Sequence, residues 1–304
     1  MLRITVDVFS GRQNPVAEVG DDREARALLR EVQGLTTSLA DADPGGGLGP
    51  RGFLLETLGD DVAVDPSAGA TSYLSLSALG AADRGTEIAE RLLSLVETGR
   101  APVDAPDAAT LDTDLRDHLL AQLAGGGAES VTDQVAAASV AAPAEPADVT
   151  CTIELGVFNP GFWNDDATVR LNNNCYNYAS NWRTDTFAQP GRGCGRMYTA
   201  ITCPEVTRAA LCDGVHRRFD CFPDSEKPRY LVALVVAPGP GFVDYHWFRK
   251  QSGGFWGHKP GGTAARNTDN SGVLITNPET ANRGPYTQFC GYFYGCDSQR
   301  RRIR

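Results

Sequence analysis

YLVALVVAP, Tyr230 to Pro238, followed by DYHWFRKQSGGFWGHKPG, Asp244 to Gly261, decides the fold class of this chain. The first stretch is a continuous apolar run of strand length, as a strand buried on both faces requires. The second alternates on both sides of Ser252-Gly253-Gly254, which is the signature of a hairpin. GVLITNP, Gly272 to Pro278, and FCGYFY, Phe289 to Tyr294, read as further strands. Ahead of them LNNNCYNYASNW, Leu171 to Trp182, has apolar residues at helical spacing (Tyr176, Tyr178, Ala179, Trp182) behind asparagines that suit an N-cap. A helix preceding an antiparallel sheet makes an α+β domain over residues 149–304.

Working outward, Ile4 to Val8 alternates, FSGRQNP (Phe9 to Pro15) supplies a turn, and Val16 to Val19 returns as the second arm of a hairpin. Asp21, Asp22 and Glu24 open a helix with Ala27, Leu28, Val32 and Leu35 on its apolar face. PGGGLGPRG, Pro44 to Gly52, lacks the lysine and Ser/Thr of a phosphate loop and reads as a connection. A strand at Phe53 to Leu58 and a helix from Arg84 to Thr98 complete a small α/β module over residues 1–99, which docks or targets and for which a protein partner is expected. Residues 100–148 are rich in Ala, Pro, Asp and Gly and read as a linker carrying one short helix at Leu111 to Leu123.

The 304 residues are 41% hydrophobic and 22% charged, with no apolar run long enough to cross a membrane. A net charge of −10 argues against nucleic acid as partner. The opening MLRITVDVFS lacks the features of a signal peptide, so a cytoplasmic location is expected, with leaderless export as the alternative. All eight cysteines fall between Cys151 and Cys296, which instead suggests disulfides. No cysteine pair has zinc-finger spacing, and neither a metal nor an organic cofactor is expected.

Cys175 stands at a helix start, where unpaired N–H groups favour a thiolate. Two of the four histidines, His246 and His258, lie on the two arms of the hairpin and are the candidate bases. This order, with NNNCYNYA first, DYHW later and a polar residue in RNTDNSG after it, resembles the papain-like cysteine hydrolases. The resemblance covers the second domain only. It implies Cys175 as nucleophile, His246 as base with His258 as its rival, Asp269 as the orienting acid, and Asn173 or Asn174 as oxyanion donor. The implied activity is that of a thiol hydrolase or acyltransferase acting on a peptide or protein substrate through a thioester. The block from YHWFRKQ through WGHKPG to NP is also similar to bacterial proteins of no assigned activity. The alternative is a non-enzymatic, disulfide-framed binding module whose aromatic contact surface comes from Trp163, Trp247, Trp256 and Tyr294.

Overall fold

The structure, a computed structural model, describes residues 1–20, 22–38, 47–58, 71–125, 151–218, 221 and 223–304. Asp21, residues 44–46 of the glycine-rich loop, and residues 126–148 of the linker expected over 100–148 lie outside them. The chain divides into two compact units, Met1–Phe9 with Gln13–Glu129, and Ser10–Arg12 with Ser130–Arg304.

In the first unit, β1 (Leu2–Asp7) and β2 (Val16–Val19) form the expected hairpin, Leu2 opposite Val19 and Thr5 opposite Val16. Helix α1 (Asp22–Val32), β3 (Thr37–Ser38), β4 (Gly52–Thr57), β5 (Thr71–Ser75), α2 (Leu76–Ala81), α3 (Gly85–Thr98) and α4 (Thr113–Ala124) follow. The antiparallel sheet has the order β2-β1-β4-β5-β3. Leu2, Ile4 and Val6 alternate into the core, and α3 packs Ile88, Leu92, Leu93 and Val96 inward at helical spacing. Asp112 caps α4, whose buried Leu115, Leu119 and Leu123 share one face. A buried Arg51–Asp7 ion pair at 2.6 Å, to which the Tyr73 hydroxyl donates, ties β1 to β4 and β5.

The second unit runs α5 (Gly161–Asn164), α6 (Ala167–Asn172), α7 (Cys175–Ser180), α8 (Cys203–Asp213), β6 (His216–Arg217), β7 (Tyr230–Pro238), β8 (Val243–Lys250), β9 (Trp256–His258), β10 (Gln288–Gly295) and α9 (Asp297–Arg302). Its antiparallel sheet has the order β6-β10-β7-β8-β9, with the apolar run of β7 at its centre. Gly253 and Gly254 both take positive φ in the β8–β9 turn, which is why glycine stands at each. On one face, Val232, Leu234 and Val236 of β7, Tyr245 and Trp247 of β8, and Phe293 of β10 pack with α7 and α8. The expected strand at Gly272–Pro278 is reduced to a single bridge between Thr268 and Leu274. Each unit thus mixes helices with an antiparallel sheet, an α+β architecture.

Candidate functional site

The triple asparagine builds α7. Asn174 accepts the N–H groups of Tyr176 and Asn177, and Asn177 Oδ1 accepts the Asn174 N–H, a reciprocal capping box. Asn174 Nδ2 donates to the carbonyls of Gly11 (2.9 Å) and Ala188 (2.7 Å). Asn173 Nδ2 donates to Val169 O and Asp185 Oδ1, while its Oδ1 accepts from Thr184 and Asp185 N–H. Both asparagines are fully buried. Their amides, expected as oxyanion donors, are spent holding the loop after α7.

Cys175 is 0% exposed and lies in the core cluster with Tyr176, Leu234, Tyr245 and Trp247, its Sγ 4.0 Å from Tyr245 O. Burial pushes its pKa well up, and the negative charge of Asp244 adds to the rise. Desolvation therefore outweighs the helix start, and the group is a thiol. The expected base is turned away. Side chains along β8 alternate, so with Tyr245 and Trp247 on the Cys175 side, His246 shares the other face with Phe248.

On that other face the rival bases bond to each other. His246 Nε2 lies 2.9 Å from His258 Nδ1, and His258 Nε2 lies 2.9 Å from Thr268 O. Because a carbonyl only accepts, His258 carries its proton on Nε2. Burial drives its pKa down to about 3, so at neutral pH its Nδ1 is an acceptor and His246 donates to it. Thr268 O thus orients His258. Asp269 instead uses both oxygens on the N–H groups of Ser271, Val273 and Asn282, curling the segment that had been expected as a strand.

Sequence reasoning missed the polar centre of the unit, Asp244. Fully buried, it accepts the N–H of Ser10 (2.5 Å), Gly11 (3.2 Å) and Arg12 (2.9 Å) and the hydroxyl of Tyr286 (2.5 Å). Burial raises its pKa against the opposing pull of these donors and of Arg12. The Gly11 carbonyl in turn receives Asn174 Nδ2, Gln189 Nε2 and Tyr245 OH. A Cβ on Gly11 would sit 2.5 Å from the Tyr245 carbonyl oxygen, so only glycine fits this approach. Buried Lys259 donates to the carbonyls of Arg170, Asn173 and Gly261, closing the end of α6. One signal was legible: a lone carboxylate opening the apolar strand DYHWF.

Three disulfides frame the unit: Cys151–Cys221, Cys194–Cys212 and Cys203–Cys290. Cys175 and Cys296 are free and buried. Among the described residues, no cluster of His, Cys, Asp and Glu is arranged to hold a metal, and no helix is long and apolar enough to cross a membrane.

Insoluble matrix shell protein 1 of Ruditapes philippinarum is 50% identical to this chain over 135 residues, which make up 44% of this chain and 86% of that protein. This chain belongs to the insoluble matrix shell protein 1 family. No protein-family model matches it, and no solved structure does. Membership in the insoluble matrix shell protein 1 family overturns the expectation of a thiol hydrolase or cysteine protease acting from Cys175, His246 and Asp269. The physical reasons are the buried neutral thiol, the histidine on the opposite sheet face, and an aspartate committed to its own loop. The aromatic surface expected of the binding module is corrected too. Trp163, Trp247, Trp256 and Tyr294 are all buried, and among the described residues the exposed rings are Phe162 and Trp182, at 43% and 42%.

Proposed function

We propose that this protein is a non-enzymatic structural component of an extracellular matrix, and that its second unit is a disulfide-framed interaction module. The observation that carries this reading is the set of three disulfides, which use six of the eight cysteines. Such bonds persist in oxidising compartments and are reduced in the cytosol. The relative's name, which describes an insoluble protein of a shell matrix, supports the same location in place of the cytoplasm. The polar network supports it as well, since Asp244, the asparagines and Lys259 spend their hydrogen bonds within the protein, as a rigid scaffold requires. Within this reading the papain-like resemblance is one of layout alone, supported by a cysteine-bearing helix packed on an antiparallel sheet.

Fractionation of the native source tests it. The protein is expected in the extracellular material, released fully by denaturant with reductant. Recovery from the cell lysate with all eight cysteines as free thiols in the absence of added reductant would contradict the proposal.

A further inference from the structure

Two arginines of the second unit lie on aromatic rings and, among the described residues, are paired with nothing acidic. The Arg183 guanidinium sits 3.5 Å from the centre of the Phe162 ring, and that of Arg300 sits 4.7 Å from the Trp182 ring. Neither guanidinium has a carboxylate or hydrogen-bond partner among the described residues, and both Nε atoms are buried without one. The two pairs belong to one cluster. Arg183 is 5.9 Å from the Trp163 ring, Trp163 is 5.5 Å from Tyr178, and Arg249 lies 4.5 Å over Tyr178 and couples electrostatically to Arg300. A ring face orients each guanidinium and leaves its charge uncancelled.

The chain also carries the complement. Residues 1–150 hold 25 Asp and Glu against 10 Lys and Arg, a net charge of −15, while residues 151–304 hold 13 against 18, a net charge of +5. Within the acidic half, residues 101–117 contain five exposed aspartates, Asp104, Asp107, Asp112, Asp114 and Asp117, with one basic residue, Arg116, already paired to Glu97. Asp104 pairs with Arg3 and Asp112 caps α4. Asp114 and Asp117, three apart on α4 and therefore on one face, have no ion-pair partner among the described residues.

We propose that the Arg183–Arg300 face of one copy docks the Asp114–Asp117 face of a second copy, so that copies add head to tail. The two surfaces differ, so the contact is heterologous, and where its rotation does not close it builds open chains. Charged surfaces of opposite sign steer this encounter and make it salt-dependent. The inference rests on the reading of the second unit as an interaction module and names its partner.

Sedimentation velocity of the full chain, the Arg183→Glu/Arg300→Glu variant and the Asp114→Lys/Asp117→Lys variant tests it. At low salt the wild-type mean mass is expected to rise with concentration and to fall back when salt is added. Each variant alone is expected to associate at least about 100-fold more weakly, because it opposes like charges. An equimolar mixture is expected to associate again, since the intact acidic face of one variant meets the intact basic face of the other and the two reversed faces are also of opposite sign. That recovery also shows that both variants are folded. A wild type that stays monomeric at low salt, variants that associate like wild type, or a mixture that stays monomeric would each overturn the pairing. The matrix reading is decided separately, by the fractionation.

Discussion

Replacing Cys203 and Cys290 together by alanine is expected to lower the stability of the second unit by about 4.5 kcal/mol, the chain-entropy value for a loop of this length. The bond spans 87 residues of sequence and joins the first residue of α8 to β10. In the unfolded chain it removes the freedom of everything between α8 and the central sheet, including β7, β8 and β9. The Cys194–Cys212 bond closes only 18 residues, so its removal is expected to cost less, about 3 kcal/mol. All four tryptophans lie in the second unit, so denaturant unfolding followed by tryptophan fluorescence reads this transition selectively. Equal losses for the two pairs would show that loop entropy does not set the contribution.

Asp244→Ala is expected to cost about 4 kcal/mol, in the range for removing one partner of a buried charged network. The loss comes from what remains. The N–H groups of Ser10, Gly11 and Arg12 and the hydroxyl of Tyr286 would be left without their acceptor in a site closed to water. Tyr286→Phe removes a single donor and is expected to cost only about 1 kcal/mol. Fluorescence-detected unfolding of the two variants measures the difference. If Asp244→Ala unfolds like Tyr286→Phe, the carboxylate is not the organiser of this centre.

The parts of the fold that were legible in the sequence are those written in local pattern. The apolar run of β7, the Ser252-Gly253-Gly254 turn and the hairpin of β1 and β2 each depend on residues a few positions apart. Gly272–Pro278 has an apolar strand composition, but Asp269 captures the backbone N–H groups of Ser271 and Val273 and so competes with sheet pairing. The site was less legible because its links are long. Asp244 reaches Ser10 across 234 positions, and nothing local to either residue announces the other. For Cys175 the helix start by itself favours a thiolate. Its outcome turned on burial, a tertiary property that places Tyr245 and Trp247 around the sulfur and sends His246 to the opposite face. Of the three asparagines expected as cap residues, Asn174 caps α7, and its side-chain amide is committed to carbonyls on distant segments.

Disulfide mapping of the folded protein, with iodoacetamide present before unfolding, tests the central claim most directly. Intact Cys151–Cys221, Cys194–Cys212 and Cys203–Cys290 peptides are expected, with Cys175 and Cys296 unlabelled until the protein is unfolded. Six reduced cysteines at these positions, or a Cys175 alkylated rapidly in the folded protein, would contradict it.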